Sequence, residues 1–273
     1  MHILKAFCLA FSTYSRIPMI RVYPNKENMR YMMCYLPFVG AAVGALFMLW
    51  FHVCVLIRID HACFSAVAAV LSGLVTGGIH ARGYLKTNDA LSSYGSKQKM
   101  LEILREPHVG AFAIITAIVY YILYFGFLNE ISIYGEALMI SLGFVLSRSL
   151  CALLVSLMRC AQNKGILYEV SSNVNKPVTV FVSVLLTIAC VVVMAMLSAY
   201  IGFLVFLCQA GLILYYKFFV AKKMGGITND TCGYYIQMSE LLTVMAVVIG
   251  LKIIPFLPTI PVVSNIAHIF LLV

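Results

Sequence analysis

The sequence predicts an all-α, polytopic integral membrane protein with seven or eight transmembrane helices. Apolar residues make up 63% of the chain and charged residues 11%, at a mean hydropathy of +0.99, whereas soluble domains carry about 25% charged residues. The apolar residues fall into runs of the length, about 20 residues, that a helix needs to cross a hydrocarbon core of about 30 Å. No segment shows the alternation of a membrane β-barrel, so backbone polar groups in lipid are expected to be satisfied within helices.

Taken in order, residues 1–30 read as an interfacial segment. Its first apolar run is interrupted by Ser12, Thr13, Ser15 and Arg16 and lacks a small-residue cleavage site, which argues against a signal peptide and for an amphipathic helix ending at Pro18. Spans are expected at 33–57, 62–79, 110–128, 137–158, 178–198, 200–219 and 240–257, with 258–273 a marginal eighth. Two polar, motif-dense loops, 76–109 and 220–239, interrupt these runs within one transmembrane unit covering 1–273. With the N-terminus in the cytoplasm, all of the 19 Lys and Arg except Arg58, Arg148 and Lys252 fall on the cytoplasmic side, as the positive-inside rule requires. Both motif loops then open on that side. The formal charge of +9 thus reads as a topology signal plus affinity for anionic lipid heads and phosphate-bearing substrates; nothing in it points to nucleic acid. The nine cysteines show no C-x-x-C pair and no His at zinc-finger spacing, so they read as apolar filling.

The first loop reads TGGIHARGYLKTNDALSSYGSKQKMLEILREPHVG over 76–110. Residues 82, 86 and 89 lie at i, i+4 and i+7, so in a helix Arg82, Lys86 and Asp89 share one face. In the second loop Gly233, Gln237 and Glu240 follow Asp230 at i+3, i+7 and i+10, again one face. Gly77-Gly78-Ile79-His80-Ala81-Arg82 aligns without gaps to Gly225-Gly226-Ile227-Thr228-Asn229-Asp230, a weak internal repeat that predicts two similar half-sites.

These residues closely resemble those of the cobalamin synthases, the integral-membrane adenosylcobinamide-GDP ribazoletransferases, whose first loop reads G-G-x-H-x-D-G-x-x-D-T-x-D. The likeness continues through Asp89-Ala90-Leu91-Ser92-Ser93, Lys99 to Leu104 and His108-Val109-Gly110-Ala111-Phe112. It recurs in Phe11 to Pro18, in Leu36-Pro37-Phe38-Val39-Gly40 and in Gly225 to Asp230. Membership implies transfer of adenosylcobinamide phosphate from adenosylcobinamide-GDP to α-ribazole or its 5′-phosphate, releasing GMP, with Mg²⁺, at the bacterial cytoplasmic (inner) membrane. Homo-oligomers or cobamide-pathway partners fit such an enzyme. Against the family pattern, Arg82 and Lys86 stand where aspartates are expected.

Phosphoryl transfer between a diphosphate ester and an alcohol calls for hard oxygen ligands to Mg²⁺. Under the resemblance, Asp89, Asp230 and Glu240 are the candidate metal ligands, and His80, Asp89 and Asp230 the candidate catalytic residues. Arg105, His108, Arg148 and Gln237 are the candidates for substrate phosphate. Each has a plainer reading. Asp230 can cap a helix, His80 can be structural, Arg148 can pair with a buried acid, and Arg105 and His108 can anchor head groups. Two cations in place of two carboxylates change the local charge by four units and disfavour a divalent ion, and Asp89 is expected to pair with them. Three accounts stay open: a folded chain with impaired turnover, cations that grip the diphosphate directly, or a metal held by Asp89, Asp230 and Glu240 alone.

Two other classes compete. A CDP-alcohol-phosphatidyltransferase-like membrane phosphotransferase would show a D-x-x-D-G-x-x-A-R pattern, which is absent. A transporter would place ionisable residues in several spans, and only Arg148 qualifies. A catalytically silent membrane partner would look much as this sequence does.

Overall fold

The computed structural model describes residues 2–254. The α-helices among them are α1 (His2–Tyr14), α2 (Lys26–Met29), α3 (Leu36–Ile57), α4 (His61–Thr76), α5 (Ile79–Ser92), α6 (Lys97–Ile103), α7 (Ala111–Leu128), α8 (Tyr134–Leu157), α9 (Ile166–Asn173), α10 (Lys176–Leu197), α11 (Ala199–Tyr215), α12 (Lys222–Met224) and α13 (Asn229–Ile253). A 3₁₀ turn, Met32–Tyr35, leads into α3, and a π-helical stretch, Tyr216–Ala221, joins α11 to α12. The described residues contain no strand, only one isolated bridge between Cys160 and Ile227.

Six continuous helical segments are long and apolar enough to cross a membrane: Met32–Ile57, Ala111–Leu128, Tyr134–Leu157, Lys176–Leu197, Ala199–Met224 and Asn229–Ile253. They match expected runs, except that the last starts eleven residues before the predicted 240, because its polar first turns belong to the helix all the same. The expected 62–79 span is broken. Its sixteen residues in α4 reach only about 24 Å at 1.5 Å per residue, and α5 departs at 96°. The count is therefore six, or seven with the bent pair as one span; the eighth run, 258–273, lies outside the described residues.

Burial sorts the helices. In α8, with Tyr134–Leu157 buried over 78% of its most apolar window, residues face protein all round, whereas α10 (17%) and α7 (22%) turn most of their side chains outward, as helices solvated by lipid do. Thus α8 and α13 form the centre, and α3, α10, α11 and α7 pack around them. Close approach of α3 and α8 is marked by Ser141 Oγ donating to Gly44 O at 3.2 Å. At the end opposite the motif segments, Lys252 Nζ meets Glu130 at 2.7 Å and His52 Nδ1 lies 2.8 Å from Tyr134 Oη, which brings together helix ends that the charge pattern is expected to place on the non-cytoplasmic side. The N-terminal helix stops at Tyr14 rather than Pro18, and one side of it (Ala6, Cys8, Leu9, Ala10, Phe11, Tyr14) is buried on the bundle. All nine cysteines are free, most of them buried; Cys63 is exposed.

Candidate active site at the crossing of two motif helices

Both polar motif segments expected as loops are largely helical. Gly77 and Gly78, at φ +66° and +72°, end α4 and turn the chain into α5; only residues without a Cβ adopt such angles in succession cheaply. Gly225, at φ +75°, plays the matching part before α13. The repeat holds at that first glycine and then diverges. Gly226 sits at φ +149°, and α13 starts with a Thr228–Thr231 capping box, whereas α5 starts at Gly78 with no side-chain cap.

The two motif helices cross at their glycines. A Cβ on Gly83 would lie 2.5 Å from Asp230 O and 3.1 Å from Gly233 Cα, and one on Gly233 would lie 3.0 Å from His80 O. Small residues let two backbones approach this closely inside a membrane protein. Tyr84 and Tyr234 stack over the crossing, with ring centroids 5.5 Å apart and planes 8° from parallel. Next to it, Tyr216 Oη, carried by the π-helix, lies 2.9 Å from Thr231 Oγ1 and braces the start of α13.

Across the contact Asp230 lies against Gly83 and His80 against Gly233, so the two residues bracket the crossing. His80 is 5% exposed, and its Nε2 has no hydrogen-bond partner. It lines a cavity of about 20 Å³ together with Tyr14, Ile79, Asn229, Cys232 and Gly233, roughly the room one water molecule takes. Lys86 and Arg82 both pull electrostatically on the Asp230 carboxylate.

The other expected site residues have different employment. Lys86 Nζ donates to Leu104 O at 2.9 Å and Glu106 O at 2.7 Å, carbonyls left without partners at the end of α6. Asp89 Oδ2 accepts from Gly110 N at 2.8 Å, holding the first residue before α7. The expected pairing of Asp89 with Arg82 and Lys86 does not form, because both charges find backbone groups that nothing else satisfies. Between these two pins, Ala90, Met100, Leu104 and Met224 make a small apolar cluster of their own. The segment 93–110 is thus strapped across α5 and α12. Arg105 donates to Gln162 Oε1 at 2.8 Å, so it ties this strap to the loop after α8; His108 is exposed and Gln237 is buried, 4% exposed, in α13. Arg82 points outward and exposed.

Arg148 is no phosphate clamp. It is fully buried, and its Nη1 pairs with Glu240 Oε1. Nη1 also donates to Ser147 Oγ at 2.9 Å and Nη2 to Ser72 Oγ at 3.1 Å, while Ser72 Oγ donates to Glu240 Oε1 at 3.0 Å. Glu240 Oε1 is therefore held by a guanidinium and a hydroxyl rather than lying with Asp89 or Asp230. No group of three or more His, Cys, Asp or Glu able to hold a metal ion occurs among the described residues. Of the three acids expected around Mg²⁺, Asp89 and Glu240 are committed elsewhere, and Asp230 is left at the crossing with Lys86 and Arg82 as its nearest charges. These residues do not fit a carboxylate-bound divalent ion. Sequence reasoning missed Ser72 and Asn229. The signal for Ser72 was its place in a line with Ser65 and Thr76 on an otherwise apolar helix; Asn229 had none beyond its neighbours.

Fold and site together define a polytopic membrane protein whose polar, glycine-hinged helices converge at one end of an apolar bundle. The chain belongs to the cobalamin-5-phosphate synthase family, whose sequence profile matches residues 6–248. It is similar to the adenosylcobinamide-GDP ribazoletransferase of Lachnoclostridium phytofermentans, 34% identical over 247 residues that cover 90% of this chain and 94% of the relative. The proteins of that name from Listeria monocytogenes serotype 4b (strain F2365), at 31% over 255 residues (90% and 98% covered), and Clostridium botulinum (strain Alaska E43 / Type E3), at 24% over 244 residues (88% and 96%), are also similar. No solved structure matches.

Two outcomes are expected. Arg148→Met leaves Glu240 buried and unpaired and lowers stability by about 3–5 kcal/mol, read as thermal unfolding in detergent, whereas Arg148→Met/Glu240→Leu recovers most of the loss; equal loss in both variants would show that the pair is not the cause. Lys86→Met frees the end of α6, so limited trypsin digestion after Lys97 and Lys99 becomes several-fold faster, while Arg82→Gln leaves that rate unchanged.

Proposed function

We propose that this chain catalyses the reaction named for its relatives, moving adenosylcobinamide phosphate from adenosylcobinamide-GDP to α-ribazole or its 5′-phosphate and releasing GMP, at the cytoplasmic face of the bacterial inner membrane. The observation that carries the reading is the crossing itself: the two segments richest in family likeness, 76–110 and 225–240, touch at Gly83 and Gly233 with His80 and Asp230 on either side. In the reaction a ribose hydroxyl attacks the phosphorus nearer the cobinamide, the bond from that phosphorus to the bridging oxygen breaks, and the oxygen leaves with GMP. The hydroxyl proton goes to a base at the site.

One of the chain's own groups suits these steps. His80 Nε2, buried and without a protein partner, is a proton acceptor at hydrogen-bonding reach of anything that enters its cavity. Magnesium contributes charge neutralisation in reactions of this type; the residues present do not make a carboxylate cradle for it, and turnover of this chain is accordingly impaired. Arg82 stands where the resemblance expects an aspartate, and it is that exchange, rather than Lys86 with its duty to α6, which limits activity.

The test is conversion of adenosylcobinamide-GDP and α-ribazole to a cobamide by membranes carrying this chain, its Arg82→Asp variant or its Arg82→Asp/Lys86→Asp variant, with and without Mg²⁺. The expected order is Arg82→Asp fastest, by at least about tenfold, the loss of one close charge contact being worth more than 1.4 kcal/mol. The double variant comes behind it because α6 is released. If no variant turns over, the reading falls and a catalytically silent membrane partner replaces it; if the unaltered chain is as fast as Arg82→Asp, the charge exchange is not limiting.

A further inference from the structure

The inward side of α7 carries Ala113, Tyr120, Tyr124 and Leu128, while Ile115, Ile118 and Ile122 stand exposed on its lipid side. Tyr120 and Tyr124 lie one turn apart, with ring centroids 5.4 Å from each other, and each is 1% exposed. Phenylalanine at either place would serve packing as well; a buried tyrosine adds a hydroxyl that needs a partner. Neither hydroxyl has one among the described residues.

Both face the Arg148–Glu240 pair. The Glu240 charge acts on Tyr120, Tyr121 and Tyr124, and that of Arg148 acts on Tyr124 as well. Tyr121 Oη would lie 3.9 Å from a Cβ on Gly73, the neighbour of Ser72, whose hydroxyl bonds both members of the pair. Helices α4, α7, α8 and α13 thus surround one place. The pair leaves two of its own atoms unmatched: Arg148 Nε, a donor, and Glu240 Oε2, an acceptor. Together with the two hydroxyls that makes four polar atoms without a partner, all on side chains no more than 2% exposed.

The chemistry of these four selects the ligand. A cation would meet the guanidinium of Arg148 and an anion the carboxylate of Glu240, and the pair as a whole is neutral, so the place suits a neutral molecule. That molecule must accept from Nε–H and donate to Oε2, while the tyrosine hydroxyls take either part. Water does both, and a buried water characteristically makes about three hydrogen bonds to polar groups that the protein leaves unmatched. None of the four residues lines the His80 cavity, so this place is separate from the one given to the proton acceptor.

We propose that Tyr120, Tyr124, Arg148 and Glu240 enclose a buried hydration site, in which ordered water links the hydroxyls of α7 to the ion pair that joins α8 and α13. Through it α7, most of whose side chains face outward, gains a polar attachment to the centre of the bundle. The assignment stands whatever reaction is carried out at the crossing.

The test is radiolytic hydroxyl-radical footprinting of the full-length protein in phosphatidylcholine nanodiscs. The radicals form from water where it stands, so a buried ring is oxidised only if water is bound beside it. Tyr120 and Tyr124 are expected to be oxidised several-fold faster than Tyr216, a fully buried tyrosine whose hydroxyl lies 2.9 Å from Thr231 Oγ1. In Tyr120→Phe/Tyr124→Phe, oxidation at both positions falls to the rate of Tyr216, because the water has lost two of its partners; thermal unfolding near that of the unaltered chain establishes that folding is intact. Should the double variant not fold, Tyr124→Phe alone is read at Tyr120, where the rate is expected to drop. Tyr120 and Tyr124 as protected as Tyr216 in the unaltered chain overturn the proposal. Unchanged oxidation in the variants also overturns it, since bulk water would then be entering by opening of the bundle.

Discussion

A guanidinium and a carboxylate placed at the centre of a bundle whose outer faces are lined with Leu, Ile, Val and Phe have no bulk water to fall back on, and everything around them has to be arranged for their sake. Arg148 and Glu240 pair with each other, Ser72 and Ser147 take up three more of their hydrogen-bonding positions, and Arg148 Nε and Glu240 Oε2 are left without a partner among the described residues. Because the partners come from α8, α13 and α4, the pair fixes the relative depth of three helices at once. A hydrophobic contact tolerates sliding; a buried ion pair does not, since displacement exposes charge to a low dielectric. Glu240 lies two turns further along α13 than Gly233, so registering that helix at Glu240 also registers the point at which it crosses α5.

From that register the rest of the site follows. Gly83 and Gly233 allow the two backbones to meet, Tyr84 and Tyr234 stack over them, and the Tyr216–Thr231 contact steadies the first turn of α13. The polar residues of α5 then divide by direction. Those facing α6 and α7, Lys86 and Asp89, hold backbone groups of neighbouring segments. His80, on the other side, is left without a protein partner, and Arg82 is left in the open. One helix face that reads in sequence as a cluster of charges thus becomes a structural edge and a chemical edge.

How much of this was legible follows from the range of the interactions. Six spans could be placed from hydropathy because burial in lipid is a property of each segment alone. The break at Gly77 and Gly78 could not, since an apolar run that continues to Ile79 looks unbroken until the φ values of two glycines are known. The helical spacing of Arg82, Lys86 and Asp89 was readable; their partners, eighteen to twenty-one residues away, were not. Arg148 left two readings open, and only the fold brings Glu240, ninety-two residues distant, to its side. A composition argument treats acids as interchangeable metal ligands, whereas packing had already committed two of the three.

The right-angled departure of α5 from α4 also decides how a reactant could be presented. A span that stops short and folds over forms a shelf, with the polar motif face resting on the end of the bundle rather than lining a channel through it. A shelf of this kind borders the bundle on one side only, so what meets its outer face is not confined by a surrounding ring of helices.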